Sequence, residues 1–353
     1  MYQMMLTELF IVLRKDSSMK NVMIIALLAS GIVSAQQKPA PQAPNKPAVK
    51  MEKPTTRLEF EAPAAYPEGV AFDKAANVFY VSSAHLGTIG KVDRGGKYTE
   101  FYKDNSLKST YGLKVSPDGK KLYACAGDAN YSKFSTPETK KKQARLLVID
   151  VKSGKKLQDI DLSKLVAGEH FPNDIAFDAK GNAYVTDSFA NTIYKVDAAG
   201  KASVFSQSDL FKTAGVGLNG IVFNPAGYFI VDNSGKGEMF KVDAVNGKNV
   251  TKVMIDQFFP GADGMLLNDN NTVTVVQNGG VNKIFKIKTT DNWATAKPVE
   301  STGFEDRFAY PSTAAMAGAD TWVMNANFSE LVEGNNVPSK TFTLQQAVFK
   351  PIL

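Results

Sequence analysis

The sequence has few of the residues that pin a fold covalently or do chemistry alone. Its 353 residues include one cysteine, two histidines and two tryptophans. A single thiol, Cys125, excludes an intramolecular disulfide, so stability must come from a core or from a bound metal. Cys125 stands in the strand pattern KLYACAGD and reads as a small buried hydrophobe. No long pattern of amphipathic-helix spacing breaks the chain, which argues against an α/β architecture. Beyond the N-terminal region no apolar run reaches membrane-spanning length.

Charge is also scarce once it is located. Of the formal net charge of +6, residues 36–57 carry +4 (Lys38, Lys46, Lys50, Lys53 and Arg57 against Glu52) and residues 1–35 carry +1. The remaining +1 spreads over residues 58–353, and so neutral a body does not fit nucleic acid as the main ligand. Residues 1–35 read as a secretory signal peptide, with Lys20, an apolar run from Val22 to Val33, and a small-residue end at Val33-Ser34-Ala35. Cleavage is expected after Ala35, the better start is Met19, and no cysteine at the cleavage point calls for a lipid anchor. An exported protein, periplasmic or secreted and monomeric by default, is expected. Residues 36–57, rich in Pro, Ala and Lys, read as a solvated tether.

What the chain does have is one unit written several times. The units are YPEGVAFDKAANVFYVSS (66–83), TYGLKVSPDGKKLYACAG (110–127), FPNDIAFDAKGNAYVTDS (171–188), GLNGIVFNPAGYFIVDNS (217–234) and GADGMLLNDNNTVTVVQN (261–278), with a weaker copy, YPSTAAMAGADTWVMNAN (310–327). Each is an apolar strand, a turn of Gly, Asn or Asp, and a second apolar or aromatic strand. A third strand follows several of them: IGKVD, IYKVD, MFKVD and IFKIK. Equivalent first positions are Glu68, Tyr111, Asn173, Asn219, Asp263 and Ser312, at steps of 43, 62, 46, 44 and 49 residues. A period in the forties with several strands per unit predicts an all-β, six-bladed β-propeller of four-stranded antiparallel blades over residues 58–353. The longest step contains YSKFSTPETKKKQ (131–143), read as an inserted surface loop.

In a propeller the residues just before each innermost strand converge on the central channel. Four of the six equivalent positions carry oxygen donors: Glu68, Asn173, Asn219 and Asp263. Two carboxylates and two amide carbonyls form a hard donor set suited to calcium, and their charge balances one divalent cation. Magnesium, manganese and zinc are alternatives, although no imidazole or thiolate holds an equivalent position. Any one Asn or Asp here also reads as a turn former; Glu68 does not, and the set as a whole favours a metal.

PEGVAF, FPNDIAFDAKG, LNGIVF and ADGMLL followed by QNGGVNKIFKI resemble the signature segments of the senescence marker protein 30/gluconolactonase family, six-bladed propellers related to the paraoxonases. The resemblance covers residues 60–330. It implies Glu68, Asn219 and Asp263 as ligands of a divalent metal, Asn173 at or beside the metal and in contact with substrate, and Asp263 as general base. The reaction it implies is hydrolysis of a lactone or related ester.

Two departures shape the expectation. Sugar-lactone members place an arginine near the Asn-Asp pair, where this chain has Glu169, His170, Phe171 and Pro172. The histidine pair of paraoxonase-like members is not reproduced by His85 and His170. A more aromatic pocket follows, with His170, Phe171 and Tyr111 as substrate-binding candidates beside Asn173, and with Tyr66 and Tyr310 at nearby positions. The alternative reading keeps the fold and drops the reaction: a non-catalytic, calcium-stabilised propeller that binds a ligand or another exported protein.

Overall fold

The computed structural model of this protein describes residues 56–332 and 337–352. The signal peptide and all but the last two residues of the tether lie outside the described residues. Strand β1 (Arg57–Glu61) is followed by β2 (Val70–Asp73), β3 (Val78–Val81), β4 (Ile89–Val92) and β5 (Tyr98–Tyr102), of which β2–β5 form blade 1. Blade 2 is β6 (Ser109–Val115), β7 (Lys121–Gly127), β8 (Ala144–Asp150) and β9 (Lys156–Asp161). Blade 3 is β10 (Pro172–Phe177), β11 (Ala183–Asp187), β12 (Thr192–Val196) and β13 (Ala202–Gln207). Blade 4 is β14 (Leu218–Asn224), β15 (Tyr228–Asn233), β16 (Glu238–Asp243) and β17 (Val250–Val253). Blade 5 is β18 (Ala262–Asp269), β19 (Thr272–Gln277), β20 (Lys283–Lys288) and β21 (Lys297–Ser301). Blade 6 takes β22 (Pro311–Ala317), β23 (Asp320–Asn325) and β24 (Thr341–Gln346), and its fourth strand is β1. The short β25 (Lys350–Pro351) adds a fifth strand to blade 5, and α1 (Ser329–Val332) is a single turn. The sequence-predicted six-bladed, all-β propeller is the fold of this chain.

Local chemistry explains the repetition. Gly181 has φ 79°, and the Asp178 carboxylate accepts from the backbone N–H of Lys180 at 2.9 Å and of Asn182 at 3.0 Å. Asp197 does the same for Ala199 and Lys201 at 2.9 Å each. Aspartates that satisfy the turn backbone two and four residues on make each hairpin independent of its neighbours. Middle strands are buried on both faces, as in β15 and β19. Outer strands such as β9 expose every second residue.

The ring is closed by β1, whose first residue lies inside the segment read as tether. It pairs antiparallel with β24 from Arg57 opposite Gln345 to Glu61 opposite Thr341. Leu58 and Phe60 face inward while Arg57, Glu59 and Glu61 face solvent. Phe60 stacks on Tyr98 of blade 1 at 6.1 Å and lies 6.3 Å from Phe342 of blade 6. The first described strand therefore sews the last blade to the first. Phe60→Ala is expected to cost about 3–5 kcal/mol in chemical denaturation, the range for removing a buried aromatic ring. Val245→Ala, at a site 93% exposed, should change stability by less than about 0.5 kcal/mol; equal effects would remove the closure role from β1.

Candidate functional site

The six equivalent positions sit where the innermost strands lose register. Pairing shifts between Thr110 and Leu113, Pro172 and Ile175, Leu218 and Ile221, Ala262 and Met265, and Pro311 and Ala314. Each gap holds the residue in question, so a bulge re-aims Tyr111, Asn173, Asn219, Asp263 and Ser312. In blade 1 the same place precedes β2, where the N–H groups of Glu68 and Gly69 donate to the Ser82 hydroxyl at 3.2 and 2.7 Å. The next residue in each bulge is Gly69, Gly112, Asp174, Gly220, Gly264 and Thr313. Glycine is required here by close approach: a Cβ at Gly69, Gly112 or Gly220 would overlap the carbonyl oxygen of Tyr111, Asn173 or Asp263 in the following blade. Ser312 closes the circle by donating its hydroxyl to the Glu68 carbonyl at 2.6 Å.

Glu68, Asn173, Asn219 and Asp263 are all buried, and Glu68 and Asp263 act on one another electrostatically. Asn278 donates to one oxygen of Asp263 at 2.6 Å, and the Asn219 amide also stabilises that carboxylate. Asn173 donates to the Ser188 hydroxyl at 3.1 Å. Glu68 Oε2 and Asn219 Oδ1 are buried without a partner. Orphaned acceptor oxygens on a carboxylate and an amide, in a space shared with a second carboxylate, fit a hard cation. Among the described residues no three His, Cys, Asp and Glu side chains form a set able to hold a metal ion. A cation at this place would therefore draw on amide oxygens as well as on Glu68 and Asp263.

Two further carboxylates were not singled out from the sequence. Asp174 takes the place of the bulge glycine. It accepts from the N–H of Ile175 at 2.8 Å and, across the blade boundary, from that of Ile221 at 3.3 Å. Asp232 lies on β15 at a position that reads Ser82, Cys125, Thr186, Asp232, Val276 and Met324 around the ring. One of its oxygens does what Ser82 and Thr186 do, accepting from the bulge N–H of Gly220 at 3.1 Å. The other, Oδ2, is buried and unpartnered. The signal for both was present in the sequence only as an exception within a column of repeats.

Electrostatics follow from this crowding. Burial first, then the charges of Asp263 and Asp174, push the Glu68 carboxyl well above the usual carboxylate range. Burial and Asp174 raise Asp263, and burial with Asp263 and Asp174 raises Asp232. Burial also raises Asp174, partly offset by Lys114 and the two backbone N–H groups. The Cys125 thiol, fully buried and near Asp174 and Glu68, is pushed well above its ordinary value and is inert.

The aromatic and histidine candidates divide. His170 is buried with Nδ1 2.8 Å from Asp187. Burial opposes its charge, but Asp187 and the backbone of Val166 and Ser163 outweigh that and raise its pKa. Tyr111 is fully buried, its hydroxyl accepting from Ala129 N–H at 2.9 Å. Phe171 packs edge-on against Tyr111 at 4.7 Å. Tyr66 is held by Glu330, to which its hydroxyl donates at 2.8 Å. His85 donates from Nδ1 to the Tyr131 carbonyl at 2.8 Å. Tyr66 and Tyr310 both adopt positive φ, 46° and 49°, each immediately before a proline. That is a costly backbone conformation of the kind retained where geometry matters.

No family model matches this sequence, and no curated protein matches it. Solved structures do. The major allergen Mala s 1 of Malassezia sympodialis is 16% identical, with 84% of this chain and 96% of that chain covered at a TM-score of 0.66. Virginiamycin B lyase from Staphylococcus aureus is 14% identical, covering 83% of this chain and 99% of its own at a TM-score of 0.54. A proposed gluconolactonase is 13% identical, covering 85% and 95% at a TM-score of 0.53. What is shared is the propeller fold. At such identities the family resemblance read from the sequence is supported at the level of fold, and the site must be argued from its own residues.

A neutral isostere tests the crowding. Asp232→Asn keeps an acceptor for the Gly220 N–H and removes one acid from the set. A carboxyl whose folded pKa is raised loses stability as pH rises from its unfolded value toward its folded one, because the unfolded chain then holds fewer protons. In chelator, the variant should melt above the parent at pH 8 and show a smaller gain at pH 5; no gain at pH 8 would mean that Asp232 is not under this repulsion.

Proposed function

We propose that this protein is an exported, divalent-cation-dependent hydrolase of lactones or related esters, and that calcium is its cation. The observation that carries the reading is the pair of buried, unpartnered oxygens, Glu68 Oε2 and Asn219 Oδ1, facing the same channel as Asp263. Glu68, Asn219 and Asp263 would hold the ion, with Asn173 beside it and bound to Ser188. A bound cation supplies polarisation of the substrate carbonyl and stabilisation of the oxyanion that forms. The chain's own residues do the rest. Asp263 is held in place by Asn278 and Asn219 and takes the proton from the attacking water. The fixed bulges keep the donor atoms in position without reorganisation during the reaction. The closed ring and its aromatic mouth keep bulk water from the carboxylates. Export rests on Lys20, the apolar run 22–33 and Ala35 in the sequence.

The rings gathered over the channel favour a second reading, a cation-stabilised propeller that binds without turnover. Turnover separates the two. With calcium present, the protein is expected to hydrolyse members of a panel of aliphatic, sugar and aromatic lactones. Chelator or Asp263→Ala should lower the rate at least about 100-fold. Calcium at 100 times its Kd should stabilise the parent by about 2.7 kcal/mol, and Glu68→Gln should reduce that gain. Stabilisation without hydrolysis on any member would favour the binding propeller; neither effect would remove the cation.

A further inference from the structure

The insertion of blade 2 is a surface loop over most of its length, but its first residue, Tyr131, turns inward. Asp128 gathers its start, accepting from the Asn130 N–H at 3.1 Å and from the hydroxyls of Thr139, at 2.6 Å, and Ser135. Ser132 donates to the Lys108 carbonyl at 2.6 Å, and His85 holds the Tyr131 carbonyl. Asn130 turns the chain with φ 79°. These anchors carry Tyr131 inward, to 6.2 Å from Phe171 and 5.1 Å from Phe328. Phe171 precedes the inner strand of blade 3 and Phe328 follows β23 of blade 6. Those blades are three apart in a ring of six, so Tyr131 spans the channel mouth. Tyr310, in its strained pre-proline conformation, meets Phe328 at 5.8 Å from the other side.

Both phenols lie within electrostatic reach of the acidic set. Asp263 acts electrostatically on Tyr131 and on Tyr310, Glu68 acts on Tyr131, and the two tyrosines act on each other. Tyr66 and Tyr111 have their hydroxyls engaged by protein groups. Among the described residues no partner reaches the hydroxyl of Tyr131 or Tyr310. Two phenol donors without acceptors, framed by Phe171 and Phe328, have the composition of a binding site for one kind of molecule. It has an apolar or aromatic body and an exposed carbonyl-type oxygen.

We propose that Tyr131 and Tyr310 are substrate-binding residues that donate hydrogen bonds to the ester or lactone group, and that Phe171 and Phe328 take an aromatic or apolar acyl body between them. This rests on the hydrolase reading of the same channel and narrows it to aryl or strongly apolar lactones and esters. It also fits the absence of an arginine near the Asn-Asp pair, since such a ligand has no array of hydroxyls to hold.

The test uses two probes, dihydrocoumarin as substrate and its lactam analogue as a ligand that resists hydrolysis, each with calcium. Lactam binding is followed by saturation-transfer NMR in the parent, in Tyr131→Phe, in Tyr310→Phe and in the double variant. Each single change should weaken binding about two- to tenfold, the worth of one hydrogen bond, and the double change further. Terbium luminescence titration should give the same cation Kd in all four proteins, which shows that the channel floor is intact. Equal lactam affinity in parent and double variant, or no lactam binding to the parent, overturns the proposal. Dihydrocoumarin turnover reports on the hydrolase reading separately. Phenol-dependent lactam binding without turnover keeps the phenol site and removes the reaction. Turnover that depends on Asp263 and ignores both phenols removes the phenol site and keeps the reaction.

Discussion

Like charges forced into one buried channel set the terms for this structure. Glu68, Asp174, Asp232 and Asp263 come from four of the six blades, the first, third, fourth and fifth, and each is kept from water. The effective cost of burying an uncompensated carboxylate is several kcal/mol, so the groups either keep their protons or share a cation. Neither solution works in a loose frame. The bulge glycines let successive inner strands touch, and hydroxyl bridges such as Thr186 to the Asn219 carbonyl, 2.6 Å, tie blade to blade. The closure by β1 is part of the same requirement, because an open ring would relieve the repulsion by spreading.

Much of this was legible in the sequence because it is local. Aspartate-led turns, strands of alternating burial and a period in the forties are each fixed within one repeat, and the repetition multiplies a weak signal into a fold. The first column of the site, Glu68 through Ser312, could be read for the same reason: equal spacing implies equal placement. Asp174 and Asp232 were harder. Asp174 sits beside a conspicuous asparagine, and Asp232 becomes significant only when strand register sets it level with Ser82 and Thr186. The closing strand was hidden by composition, since Arg57 ends a lysine- and proline-rich stretch and its partner β24 lies almost three hundred residues away.

Residue type alone could not sort the aromatic candidates. Tyr111 occupies an equivalent position to Glu68, yet its size and the absence of a charge send it into the core, where its hydroxyl serves Ala129. His170 was singled out as a rare, titratable side chain near the Asn-Asp pair, and its burial against Asp187 fixes the strand that follows. Tyr131 went unread because the length of an insertion says nothing of where its first residue points. That depends on three tertiary contacts, with His85, Phe171 and Phe328, from three different blades.

The result is a division between floor and roof. The floor is built on β-ladders and bulges whose backbone bonds cannot be lost singly without loosening a blade, and it carries the charges. The roof hangs on isolated contacts: one imidazole at the Tyr131 carbonyl, single backbone bonds such as Lys133 N–H to the His85 carbonyl at 3.2 Å, one aspartate gathering a turn, and rings meeting at 4.7 to 6.2 Å. Contacts of that kind open at far lower free energy than a central strand. The carboxylates are thus held by continuous strand ladders, and the rings above them by single side-chain and backbone contacts. A roof ring can then change without disturbing the carboxylates, whereas a change in the floor alters both the charge balance and the closure of the ring.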